Sequence, residues 1–393
     1  MRTIFRLLII PPLLIFLLYN SRCSKDTSVE NNGPQTGYLY QQPEKTDDGW
    51  VTNNLYYAGM NAGPIAAMMN NLQNRNDHYV DGILIVRYGK LVFEEYFDGY
   101  DMNHQFHHYD KNALHYQASV SKSVTSALFG IALDMGFIDS TEQKLFDALP
   151  QYSNLSNEEK DKITLHHMLS MSSGLDWDEW SYPYTDYRND VRQLFTQSDP
   201  IRFVIAKPML GPAGTIFHYN SGTTCVLGDL VRQKSAMILK NFAEEYLFTP
   251  LGITVYNWEM LRTNITFASG GLYLRPRDMA KIGQLYLQEG IWDGNQIISK
   301  EWIKKSIESS IAPPPDNFFG TFCTGYGYQW WLGRYSFRNL DVYFAAGWGE
   351  QYIIVIPSES MIIVLTGGAY YSSSPFPVLI TLVNDYILES LTR

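Results

Sequence analysis

The chain predicts an α+β fold: an antiparallel sheet built from both ends of the body and flanked by helices, with a mainly helical lobe inserted. Three observations predict it. Short apolar, β-branched runs occur at residues 82–97 and return at 326–366. Between them, residues of about 139–260 show helical apolar spacing and turn residues. The composition is globular: of 393 residues, 45% are hydrophobic and 18% charged, enough for a sizeable core.

The N-terminus reads as a targeting segment. Arg2 and Arg6 precede an apolar run, 7–18, broken by Pro11 and Pro12. That run is too short to span a bilayer comfortably and fits the core of a signal peptide. Residues 1–23 are therefore expected to be a signal peptide or lipoprotein signal. Cys23 directly after the run points to lipid attachment there. Ordinary cleavage nearby and an uncleaved anchor are the alternatives. Either way the body is expected to be exported, to the periplasm or cell envelope, with the membrane a partner through this segment. Residues 24–55 are polar and predict a tether. Residues 56–393 then form the domain.

In order, residues 62–74 predict a helix with Ile65, Met68, Met69 and Leu72 on one face. Residues 82–88 and 91–97 predict a hairpin turned at Gly89-Lys90. A helix follows Ser119. Thr164 predicts the cap of a short helix closed by Gly174. Trp177, Trp180, Tyr182, Tyr184 and Tyr187 form an aromatic loop, either a substrate wall or a packed cover. Helices are expected at 276–289 and 299–309. Strands are expected at 326–332, 342–346, 352–357 and 361–366, and a closing helix at 378–391.

Composition also excludes partners. A net charge of −10 argues against nucleic acid, which needs a basic face. No Cys/His cluster has metal-ligand spacing, and neither a metal nor a cofactor is expected. The pairs His107-His108 and His166-His167 cannot share a helix face and read as non-ligands. Cys225 and Cys323 could pair, or Cys225 could be a buried free thiol.

Three stretches carry chemistry. Ser119-Val120-Ser121-Lys122 places a hydroxyl and an amine three residues apart at a helix start, where the serine can also cap free N–H groups. That arrangement can make a serine nucleophilic. Tyr219 lies in Phe217-His218-Tyr219-Asn220-Ser221-Gly222, a loop just before an apolar helix. A lysine charge nearby would stabilise its anion, and it could then exchange a proton with Ser119. Ala346-Gly347-Trp348 sits where a strand turns, placed to lend an N–H to an oxyanion alongside that of Ser119.

Each stretch alone is weak, but their order is specific. Ser-x-x-Lys, then Tyr-x-Ser, then a Gly-rich strand resembles the class C β-lactamase-like serine hydrolases, the penicillin-recognising family. Ile163 to Leu175, Ala268 to Leu272 and Arg277 to Ala280 share the family's look. The resemblance implies a β-lactamase/transpeptidase-like fold. It implies Ser119 as nucleophile of an acyl-enzyme, Lys122 as base or electrostatic partner, and Tyr219 as the family's tyrosine. Ser221 stands where many members have Asn and is expected to face substrate or oxyanion. The family's Lys-Thr-Gly is absent here, and Ala346, Gly347 and Trp348 occupy the matching strand. This points to small-molecule esters, amides or peptides as substrates, as in the esterase and 6-aminohexanoate-dimer hydrolase branch. The alternatives are β-lactamase or D-Ala-peptidase activity, or a non-catalytic sensor.

Overall fold

The computed structural model describes residues 37–74, 79–371 and 381–392. The targeting segment, with Cys23, lies outside the described residues. The elements that position the site are α1 (Ala62–Gln73), β1 (Val80–Arg87), β2 (Lys90–Tyr96), α2 (Val120–Asp134), α3 (Ser221–Ser235), α4 (Pro276–Leu287), β3 (Cys323–Tyr326), β4 (Trp331–Tyr335), β5 (Leu340–Gly347), β6 (Gln351–Ile356) and β7 (Met361–Gly367).

Seven antiparallel strands form the main sheet in the order β3-β4-β5-β6-β7-β1-β2. The early hairpin joins the late strands through β1 and β7, with Ile83 opposite Leu365 and Ile85 opposite Ile363. Both faces of the sheet are covered, which explains why its strands read as nearly continuous apolar runs. Leu84, Val86, Ile353, Val355, Ile362 and Val364 face a core shared with α2, α3 and α4. Their neighbours Ile83, Ile85, Ile354, Ile356, Ile363 and Leu365 face a second core with α1 and the C-terminal Val383 and Ile387. Burying each such side chain stabilises the fold by about 1.5–3 kcal/mol.

Three expectations need correction. The strand expected at 326–332 is two strands, because the chain reverses at 327–330. Gln329 takes a left-handed φ of 63°, and its amide reaches the Leu169 carbonyl at 2.6 Å. That tie draws the turn onto the helical lobe.

The tether expected over 24–55 is, from Tyr38 onward, part of the domain. The Tyr40 hydroxyl donates to the Val92 carbonyl at 2.8 Å. Trp50 is buried and donates to the Arg277 carbonyl at 3.0 Å. Asp48 pairs with Arg277 at 2.8 Å. Leu91 and Val51, then Asn53 and Leu91, exchange backbone bonds at 2.9 Å, so this segment covers the otherwise open edge of β2.

The first residues of the expected closing helix, 378–380, lie outside the described residues, and the described part holds a wide turn at Val383–Ile387. Cys225 and Cys323 are both free thiols. No helix among the described residues is long and apolar enough to cross a membrane.

Candidate active site

Ser119 directly precedes α2, whose residues Val120 to Ala132 are all buried. The expected cap bond is not made. The Ser119 hydroxyl instead accepts from Lys122 Nζ at 2.8 Å. Lys122 is 1% exposed, and its other partner is the Ser269 carbonyl at 3.0 Å. A buried ammonium held by a hydroxyl and a carbonyl stays poorly compensated. Burial accordingly pushes the Lys122 pKa down to about 8, against the opposing charge of Glu179. Ala118, just before the nucleophile, holds a left-handed φ of 44°, a local strain that the surrounding fold must sustain.

Tyr219 is fixed from both sides. His218 donates its backbone N–H to Met171 at 2.8 Å, and Asn220 caps α3 by accepting from Thr223 at 3.0 Å. The Tyr219 ring stacks on Trp331 with centroids 5.8 Å apart. Lys122 Nζ lies 4.9 Å from the Tyr219 ring centroid, and Tyr219 and Ser119 line the same cavity. Two segments far apart in sequence, the start of α2 and the loop before α3, thus meet beside Ser119. The phenolate expected from the lysine charge is opposed by the surroundings of Tyr219. Burial, then the charge of Glu179, raises the phenol above its ordinary range, which favours its neutral form.

Gly347, the last residue of β5, lies against the start of α2. A Cβ there would sit 2.3 Å from the Gln117 carbonyl oxygen and 3.2 Å from the Ser119 nitrogen. Only glycine permits that approach. Ala346 pairs with Tyr352 beside it, and Trp348 begins the turn. Among the described residues, neither the Ser119 nor the Trp348 N–H donates to a carbonyl.

Ser221 is placed differently from the expectation. Its hydroxyl donates to Glu179 Oε1 at 3.0 Å, and its backbone N–H donates to Oε2 at 2.9 Å. It holds a carboxylate while bordering a second cavity beside Ser119. Glu179 is 1% exposed and also accepts from the Trp177 indole at 2.6 Å. Sequence reasoning missed Glu179. Its signal was a lone pair of acids inside the aromatic loop, Trp177-Asp178-Glu179-Trp180.

These groups open onto a cavity of about 450 Å³, walled by Trp180, Tyr182, Tyr184, Phe318, Trp331 and Tyr370. The aromatic loop is therefore a wall of the site. Among the described residues, Glu179 and Glu350 are the charged ones lining it, and no basic side chain does. His166 hydrogen-bonds the Tyr328 hydroxyl at 2.7 Å, and His167 caps its own helix from Thr164. Among the described residues, no group of three or more His, Cys, Asp or Glu could hold a metal ion.

A hydroxyl, an amine and a phenol around one reacting position define a serine hydrolase of the penicillin-recognising fold. Residues 66–382 match the family model described as Beta-lactamase, and the chain belongs to that family. It is 25% identical over 287 residues to the 6-aminohexanoate-dimer hydrolase of Paenarthrobacter ureafaciens, covering 68% of each chain. Its fold is similar to a putative 6-aminohexanoate-dimer hydrolase from Bacillus anthracis, with TM-score 0.67, 24% identity, and 81% and 82% of the two chains covered. It is likewise similar to a family VIII carboxylesterase, with TM-score 0.65, 14% identity, and 84% and 98% covered.

Proposed function

We propose that the protein is an exported serine hydrolase that cleaves an ester or amide bond through an acyl-enzyme on Ser119. The observation that carries this reading is the placement of Lys122 Nζ, 2.8 Å from the Ser119 hydroxyl and 4.9 Å from the Tyr219 ring centroid, beside a cavity that Ser119 and Tyr219 both line.

The chemistry follows from the protonation states. Neutral Lys122 takes the Ser119 proton as the bond from Oγ to the substrate carbonyl carbon forms. The oxyanion faces the N–H groups of Ser119 and Trp348. Tyr219 gives its proton to the leaving nitrogen or oxygen as that bond breaks, and the Lys122 proton restores the phenol. Water then attacks the acyl carbon by the reverse transfers, releasing the acid and regenerating Ser119.

The lining favours small esters or linear amides over β-lactams and D-Ala peptides. Ala346, Gly347 and Trp348 occupy the strand from which a lysine and a threonine would hold a substrate carboxylate, and the charged residues described in the cavity lining are acidic. The amide hydrolase and the esterase among the relatives support the same class.

A fluorophosphonate probe followed by peptide mapping tests the reading. Label is expected on Ser119 and lost in Ser119→Ala, with nitrophenyl esters turned over and a chromogenic cephalosporin not. A folded protein that takes no label would overturn it. Export rests on Arg2, Arg6 and the apolar run before Cys23. Cell fractionation with a Cys23→Ser variant tests it, and a wild-type protein found in the cytoplasm would contradict it.

A further inference from the structure

Ser119 lies on the wall between two cavities. The second is smaller, about 170 Å³, and is bordered by Ser119, Arg192, Ser221 and Ser269. The rings of Tyr184 and Trp348, with centroids 5.2 Å apart, border both cavities. Tyr219 borders only the larger one.

We propose that the Tyr184–Trp348 ring pair is a divider that sorts the two halves of the substrate. The leaving alcohol or amine occupies the aromatic cleft, and a short acyl group occupies the small chamber. The assignment of sides rests on the acyl-enzyme reading, because the proton donor must touch the leaving atom and Tyr219 faces only the cleft. When the Ser119 oxygen bonds the acyl carbon, the departing half leaves into the cleft with the Tyr219 proton. The acyl half stays covalently held in the small chamber until water replaces Ser119.

Size and charge then set the class. On the scale of the roughly 150 Å³ cavity that holds one benzene, the small chamber takes about six heavy atoms. The cleft takes a bulky, aromatic half that is neutral or cationic, since Glu179 and Glu350 line it and no basic group does. The substrates are thus esters or amides of short-chain acids with large apolar leaving groups.

Two ester series test this. With a fixed nitrophenyl leaving group, kcat/KM is expected to fall at least about tenfold from butanoyl to octanoyl, the scale of discrimination a hydrophobic pocket gives per misfitting group. With a fixed butanoyl group, the benzyl ester is expected to exceed the methyl ester, whose alcohol is of similar acidity. Trp348→Ala, which opens the divider, is expected to flatten the acyl series, and Trp348→Phe to keep it. Tyr184→Ala serves the same purpose should Trp348→Ala not fold. A flat or inverted acyl series in the wild type overturns the proposal. So does an unchanged series in a folded divider variant that the fluorophosphonate still labels. Hydrolysis that persists in Ser119→Ala would instead overturn the acyl-enzyme reading beneath it.

Discussion

Two lysines of this domain are equally removed from water and differ in their partners. Lys281, on α4, has a fully buried side chain and pairs with Asp278 at 3.0 Å, with the Gly252 carbonyl at 3.2 Å. Lys122, on α2, has a hydroxyl and a carbonyl instead. The difference separates structure from chemistry. A buried ion pair fixes an element in place. A buried amine without a carboxylate is poised to lose its proton, which is what a base for Ser119 needs.

The sharpest way to break this contrast is to remove each lysine in turn. Lys122→Met is expected to lower kcat/KM by about 10³-fold, within the range of general base contributions, with the fold intact. Lys281→Met is expected to leave turnover per folded molecule unchanged. It should cost about 3 kcal/mol in urea unfolding, because Asp278 loses a buried partner. Equal activity losses in both variants would erase the distinction.

Next is the contact that brings α2 to the sheet. Gly347→Ala is expected to cut kcat/KM by about 10²-fold, the scale for misplacing an oxyanion donor. The added methyl meets the Gln117 carbonyl at 2.3 Å. Steady-state kinetics on a variant with a wild-type melting curve would check it.

The pH profile sharpens the contrast further. The Lys122 pKa is lowered from 10.5 to about 8, chiefly by burial. The neutral fraction grows as pH rises through that value, so kcat/KM should climb about tenfold per pH unit below it and level above. The stability sign follows from the same depression. The contribution of Lys122 is full above 10.5 and is lost as pH falls through about 8. Lys122→Met should therefore melt higher than the wild type at pH 7. Glu179→Gln removes the charge that opposes the shift, so its rising limb is expected at lower pH than in the wild type.

The smallest expected effect concerns a carboxylate placed under the same physics. Burial raises the Asp81 carboxyl from 3.8 to about 8. Its contribution to stability is full below 3.8 and is lost as pH rises through about 8. Asp81→Asn should match the wild type near pH 4 and melt higher near pH 9, by an amount on the order of 1–3 kcal/mol. Identical melting curves at both pH values would remove Asp81 from the account.

Much of this was legible in the sequence because it is local. The sheet strands, α1, α2 and α4 follow from apolar periodicity, and Ser119 with Lys122 from three-residue spacing on one helix. The order of motifs identified the partner tyrosine. What the sequence did not disclose depends on convergence. Glu179 matters because Ser221 and Trp177 clamp it, and nothing in its own neighbourhood says so. The cleft wall joins Trp180 to Phe318 at 4.2 Å between ring centroids, across a gap of well over a hundred residues. The burial of Tyr219, which works against the phenolate expected from charge alone, is likewise invisible in its own stretch of sequence. The tether failed because Trp50 and Tyr40 are apolar anchors in an otherwise polar stretch.

The most direct measurement is rapid-quench mass spectrometry of the protein turning over a nitrophenyl butanoate near pH 8. A butanoyl adduct on the peptide carrying Ser119, formed in the burst and slow to appear in Lys122→Met, is the result expected. Turnover with no adduct, or an adduct that forms equally fast without the Lys122 amine, would contradict it.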